Sequence, residues 1–172
     1  MSMIKKFLLT LTLIFVFAGS AFAYGSPRWF NIPVSVQVPK TADGTRMMNA
    51  FRAWQSASGG AVRFIFRTSN NMADLSDITV SFVPFLNNAS GYIVNFVYPA
   101  ISSKSANFYK ARIVIATNNS QGGASSDSEI YVRMLRAAGE AVGVHNYNPD
   151  SEEQPKTITA DDIKQIKALY RP

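Results

Sequence analysis

The sequence predicts a single domain of the α/β (α+β) class, built around one twisted sheet. Several short segments alternate apolar and polar residues, which is the pattern of half-buried strands. Three longer segments repeat apolar residues every three or four positions, which is the pattern of amphipathic helices. The chain has 172 residues, 47% hydrophobic and 16% charged, and no cysteine. This composition excludes a disordered chain, a disulfide framework and thiol catalysis.

The strands are predicted from this alternation and from the residues that interrupt it. Val34–Val38 alternates valine with Ser35 and Gln37, and Pro39 limits the strand. Four further strands are predicted at residues 62–67, 78–82, 91–98 and 111–116. The aromatic residues of the first helix and of these strands lie at core spacing, so we expect them to pack in the core: Phe51, Trp54, Phe64, Phe66 and Phe82.

The helices are predicted from apolar stripes and capping residues. The first runs from about residue 44 to 58, with Thr41 or Asp43 at its start. The second follows the capping-box pair Ser126 and Glu129, and Gly143 can close it in the left-handed conformation. The third begins after a threonine cap and has one apolar stripe: Ile163, Ile166, Leu169 and Tyr170. Helices and strands in this order are typical of a three-layer or a two-layer arrangement.

The N-terminal segment 1–23 has the pattern of a secretory signal peptide. Two lysines precede the apolar run 7–17, and Ala21-Phe22-Ala23 supplies the small residues that a signal peptidase needs before Tyr24. A short membrane anchor is the alternative, although the apolar run is shorter than a bilayer span. We therefore expect a secreted or periplasmic protein whose residues 24–172 form one domain, with no membrane span after removal of the leader.

The charge of the chain is mild. Without Lys5 and Lys6 the chain has 15 basic and 11 acidic residues, a formal charge of +4. No block of basic residues and no RNA-binding signature occurs, so the sequence does not predict a nucleic-acid partner. Before the first strand, Tyr24, Trp29 and Phe30 are expected either to pack on the domain as an arm or to form an exposed apolar patch.

Three stretches, at residues 50–54, 77–82 and 135–170, resemble in their order and spacing the matrixin branch of the metzincin zinc proteases. Residues 50–54 (AFRAW) are similar to the family's Ala-Phe-x-x-Trp helix, and residues 77–82 (DITVSF) to its Ala-Asp-Ile-x-Val-x-Phe strand. Residues 139–144 (GEAVGV) resemble the Gly-His-Ala-Leu-Gly-Leu of the zinc helix, and residues 157–170 resemble the closing helix. The resemblance implies a twisted five-stranded mixed sheet with three helices, and a cleft below an edge strand.

The residues that carry the family's chemistry are missing. Aligned on the zinc-helix glycine, the three ligand positions of H-E-x-x-H-x-x-G-x-x-H are Arg136, Glu140 and Asn146, and the catalytic glutamate position is Ala137. His145, the only histidine, stands one residue before the third position. Arginine has no lone pair to offer a metal, and alanine accepts no proton. No methionine follows this segment to form the family's Met-turn.

Two functions follow from the resemblance. The first is a non-catalytic peptide- or protein-binding pseudoprotease with no cofactor. The second is an active zinc metalloendopeptidase with irregular ligands, namely Glu140, His145 and an unidentified third, for which Asp150, Glu152 and Glu153 are candidates. Since Arg136 lies one helical turn before Glu140, we also consider an ion pair between them in the space that zinc takes in the family, or two charges that face water independently.

The peptide-binding surface implied by the resemblance is an edge strand. Residues 91–96 look like the family strand that pairs with the substrate backbone. An exposed edge can bind an extended peptide by strand addition without any chemistry. The residues predicted to carry this interaction are Ile93, Val94, Asn95 and Phe96.

Overall fold

The computed structural model describes residues 27–69, 76–98, 107–145 and 157–170. These residues form five strands and three helices, an arrangement of the α/β class, as the sequence predicts. In chain order the elements are β1 (Val34–Val38), α1 (Ala42–Ala57), β2 (Phe64–Thr68), β3 (Ile78–Val83), β4 (Tyr92–Val97), β5 (Lys110–Ala116), α2 (Asp127–Ala141) and α3 (Ala160–Leu169). The leader, Tyr24, Asn146 and the acidic residues of segment 150–153 lie outside the described residues.

The sheet is mixed, and its strand order is β2-β1-β3-β5-β4. Strands β2, β1, β3 and β5 are parallel to their neighbours, whereas β4 runs antiparallel to β5. Parallel neighbours need a crossover connection, and α1 supplies the one between β1 and β2. Within the described residues β2 and β4 are therefore the two edges of the sheet.

The helices α1 and α2 lie side by side on one face of the sheet. Helix α1 packs against β1 and β2, α2 packs against β4 and β5, and the two helices contact each other. The indole Nε1 of Trp54 on α1 donates to the carbonyl oxygen of Leu135 on α2 at 2.7 Å. Of the two predicted arrangements, the structure has the two-layer one.

The core lies between these helices and the sheet. Phe51 and Trp54 are buried, and the rings of Phe51 and Phe64 meet at 4.9 Å between centroids. Phe64, Phe66 and Phe82 are partly buried and pack against the core. Strand β2 begins two residues later than predicted, and Val62, although wholly buried, lies in the turn before it.

The capping residues set the helix ends. Thr41, not Asp43, caps α1, since its side chain accepts from the backbone N–H of Gly44. The predicted capping box of Ser126 and Glu129 begins α2. Gly143 follows the end of α2 with a φ of +90°, as its predicted left-handed role requires.

The N-terminal arm is anchored at Trp29 and exposed at Phe30. The indole Nε1 of Trp29 donates to the carbonyl oxygen of Ala141 at 2.7 Å, at the end of α2. Tyr170, after α3, donates its hydroxyl to the carbonyl oxygen of Val142 and accepts from the backbone N–H of Trp29. Trp29 thus packs on the domain, whereas Phe30 is 78% exposed.

Candidate functional site

Two of the three predicted ligand positions, Arg136 and Glu140, and the catalytic position Ala137 lie in the last two turns of α2. Arg136 and Glu140 are half-buried, whereas Ala137 is wholly buried. The Nε atom of Arg136 is buried, so the first ligand position is occupied by a permanently charged side chain that is partly removed from water. A glutamate at position 137 would place its carboxylate out of contact with water. The catalytic glutamate of the family therefore has no counterpart at this position.

The carboxylate of Glu140 is hydrogen-bonded to the edge strand β4 and does not pair with Arg136. The hydroxyl of Tyr92, the first residue of β4, donates a hydrogen bond to the Glu140 carboxylate. The ion pairs formed among the described residues involve Arg46 with Asp43 and with Asp127, so the hypothesised pair of Arg136 with Glu140 does not form. Removal of the Glu140 carboxylate from water raises its pKa, and the hydrogen bond from Tyr92 opposes this only in part.

The buried carboxylate of Glu140 makes stability depend on pH. Because its folded pKa lies above the ordinary value of 4.5, the folded state binds this proton more tightly than the unfolded state does. The free energy of unfolding should therefore fall as the pH rises from the unfolded pKa through the folded one.

Glu140→Gln, which can still accept from Tyr92, is expected to unfold at higher urea concentration than the wild type at neutral pH. This advantage should shrink towards about pH 4. Parallel pH profiles of the two proteins would contradict the burial of a charged Glu140.

His145 lies just beyond Gly143 and is exposed. Partial loss of hydration lowers the pKa of its imidazole, which favours the neutral form. A catalytic zinc usually has three protein ligands. The described ranges contain no group of three His, Cys, Asp or Glu side chains able to hold a metal ion. Arg136 and Ala137 offer no ligand atom, so the described part of the family motif does not fit zinc.

The free edge of β4 is formed by backbone groups of alternate residues. The carbonyl oxygen of Gly91 accepts from Ala116, and that of Val97 accepts from Tyr109, so odd-numbered residues face β5. The backbone groups of Val94 and Phe96 therefore point away from the sheet. These outward groups, and not a shared side-chain surface, are what the predicted residues 93–96 offer to a peptide.

The side chains of the predicted residues 93–96 divide between the two faces of the sheet. Val94 and Phe96 share the face of Tyr92, towards α2, where they pack against the core. Ile93 and Asn95 lie on the opposite face. Glu140, which contacts Tyr92, lies on the helix side of the strand.

The start of β4 is held by residues that the sequence analysis missed. Asn88 Nδ2 and Ser90 Oγ donate to the carbonyl oxygen of Tyr92 at 2.8 and 2.9 Å. Arg133 of α2 donates to the carbonyl oxygens of Ala116 and Asn118. Its guanidinium fills the space beside Gly91, where an added Cβ would stand 2.6 Å from Nε. The only local signal was the Asn-x-Ser-Gly turn sequence, because Arg133 is distant in sequence.

The two edges of the sheet differ in charge. On β2, Arg67 is exposed, as is Arg63 just before the strand, and the guanidinium of Arg52 lies 5.2 Å from the ring centroid of Phe66. The outward backbone N–H of Phe64 donates a hydrogen bond to the side-chain oxygen of Gln55. By contrast, β4 (YIVNFV) has no charged residue. Charges on an edge strand oppose pairing with another chain, so β4 is the edge left open to pairing.

Comparison of the whole chain with family models and with curated proteins gave no match. Within the described residues, no helix has both the length and the apolar character to cross a bilayer.

Proposed function

We propose that the chain is an exported, matrixin-like domain that has lost its zinc ligands and catalytic glutamate and binds an extended peptide or protein segment along β4. In this function the protein is a pseudoprotease: the peptide adds a strand to the sheet, and no bond is cleaved. The protein recognises its partner through backbone hydrogen bonds and through contacts with the side chains of β4, which alternate between the two faces of the sheet.

The fold supports the proposal in two respects. The mixed sheet and three helices agree with the architecture that the resemblance implies. The segment that looks like the family's substrate-binding strand is an edge strand, and its first residue contacts Glu140 on the helix that resembles the zinc helix.

The observation that carries the proposal is the free, uncharged edge of β4. Val94 and Phe96 direct their backbone groups outward, while the other edge carries arginines. The chemistry of the site supports binding over catalysis, because Arg136 places a permanent cation at a ligand position and Ala137 has no proton acceptor.

The test removes one outward N–H from β4. Val94→Pro eliminates that donor but leaves the ladder to β5, whose hydrogen bonds involve the odd-numbered residues. Peptides selected from a random display library on the wild-type protein are expected to bind this variant about tenfold more weakly or worse. The free energy of unfolding should fall by about 1–3 kcal/mol, because Val94 also packs against the core, so binding is measured under conditions in which the variant is folded.

Thr68→Pro is the matched control, because Thr68 is an outward-facing residue of β2 at the other edge. It should leave peptide affinity unchanged. Equal losses in both variants, or selected peptides that ignore Val94→Pro, would place binding elsewhere. Zinc content and casein cleavage are measured on the same wild-type preparation, purified without chelator. Stoichiometric zinc with chelator-sensitive cleavage would replace this function by the metalloendopeptidase with irregular ligands.

A further inference from the structure

Four of the six large apolar side chains found exposed among the described residues lie at one corner of the domain. The fractional exposures are 78% for Phe30, 54% for Val97, 51% for Tyr98 and 60% for Tyr109. The N-terminal arm reaches this corner through the bridge between Trp29 and Phe108, and Phe30 and Tyr109 directly follow the two bridged residues. We name Phe30, Val97, Tyr98 and Tyr109 the aromatic corner.

The base of the aromatic corner is firmly packed. Phe108 stacks on Phe96 with centroids 4.2 Å apart and lies 5.5 Å from the ring of Trp29. The ring of Tyr98 is 6.1 Å from that of Phe108. The exposed side chains therefore project from a well-packed cluster formed by Trp29, Phe96 and Phe108. They are exposed although the residues beneath them are tightly packed.

The segments that meet at this corner are basic. Residues 27–32, 95–98 and 107–112 contain Arg28, Lys110 and Arg112 and no acidic residue. Asp77 lies beside the start of β5, but its carboxylate accepts from the backbone N–H and the hydroxyl of Ser35, both at 2.7 Å. The corner thus combines exposed aromatic side chains with a local excess of positive charge.

We propose that the aromatic corner docks the domain on the surface of an anionic lipid bilayer. Phenylalanine and tyrosine partition into the headgroup region, and flanking arginine and lysine are attracted to anionic lipids. Such docking is peripheral and needs no membrane-spanning helix.

The geometry favours a lipid surface over a peptide at this place. Strand β4 ends at Val97, which faces β5, so Phe96 is the last residue of the strand whose backbone groups point outward. Beyond it the corner offers side chains and no row of free backbone groups. The surface of an anionic bilayer takes up aromatic rings and attracts basic residues. It therefore matches both the exposed side chains and the positive charge of the aromatic corner.

The test uses sedimentation with vesicles of pure phosphatidylcholine, or of phosphatidylcholine and phosphatidylglycerol in equal amounts. The protein is purified after natural processing, and all variants have the same N-terminus, so the site of cleavage does not affect the comparison. Wild-type protein should bind the anionic vesicles and lose binding in high salt. The triple variant Phe30→Ser, Tyr98→Ser, Tyr109→Ser should bind about tenfold more weakly or worse. Arg112→Gln should weaken binding about fivefold.

Matched controls come from exposed residues away from the corner. Ile65→Ser with Phe85→Ser removes two side chains that are 51% and 47% exposed, and Arg67→Gln removes an exposed arginine on β2. Both controls should bind as the wild type does. The proposal is overturned if the wild type ignores anionic vesicles, or if the controls lose as much as the corner variants. A triple variant that loses only selected peptides, and not vesicles, would make the corner a peptide surface instead.

Discussion

Replacing Gly139 with alanine is expected to destabilise the domain by about 3 kcal/mol, because the helices α1 and α2 touch at this glycine. A Cβ added at Gly139 would stand 2.8 Å from Cε2 of Trp54 and closer still to Cζ2. The indole must then move, and its 2.7 Å hydrogen bond to the carbonyl oxygen of Leu135 is lost. The better helix propensity of alanine offsets only about 1 kcal/mol of this cost.

Urea unfolding measures the effect of Gly139→Ala, with Gly123→Ala as the control. Gly123 lies in an exposed loop, where an added Cβ would stand 3.2 Å from the flexible side chain of Asn119. The control should change the free energy of unfolding by about 0.5 kcal/mol or less. A Gly139→Ala protein less than about 1 kcal/mol below the wild type would show that the helix contact relaxes more easily than its geometry indicates.

Local sequence signals were sufficient for most of the elements. The strands followed from alternation, and the box of Ser126 and Glu129 and the left-handed Gly143 followed from capping rules. The layering did not follow, because periodicity identifies the apolar stripe of α1 or α2 but not the face of the sheet that it covers. That choice depends on contacts such as Trp54 with Gly139, which join residues far apart in the chain.

The candidate site shows the same division between local and distant information. Position counting placed Arg136, Ala137 and Glu140 together on one helix, and the structure keeps them there. The spacing of four residues suggested an ion pair of Glu140 with Arg136 or two independent charges, and neither alternative included Tyr92, the donor on β4. A tyrosine in a strand has no sequence signal that would identify it as the partner of a carboxylate on a later helix.

The contrast between the two edges connects the fold to the proposed function. An uncharged edge strand is a hazard for a soluble protein, since it can pair with any extended chain. In this domain β2 is protected by arginines, and the first outward carbonyl of β4, at Tyr92, is occupied by Asn88 and Ser90. The remaining opening at Val94 and Phe96 is short, which limits unspecific pairing while leaving room for a peptide of a few residues.

Restoring three histidines is expected to create a zinc site and tests the matrixin-like proposal directly. In Arg136→His with Glu140→His, the two imidazoles lie one turn apart on α2 and can reach one ion. Asn146→His adds the third ligand after the turn at Gly143. Zinc at about a thousand times its dissociation constant should then raise the free energy of unfolding by about 4 kcal/mol. Ala137 is left unchanged, because a glutamate at this wholly buried position would destabilise the fold.

The matched control is Arg52→His with Ser56→His on α1, an exposed pair with the same spacing of four residues but no third ligand. Zinc binding is measured by calorimetry and by the shift of the urea midpoint, with circular dichroism to check folding. The triple variant should bind zinc at least about tenfold more tightly than the control pair or the double variant of α2. A folded triple variant that binds no better than these pairs would mean that the chain after Gly143 does not return to α2. The matrixin-like alignment would then be wrong, whereas peptide binding at β4, which needs only the free edge, would be unaffected.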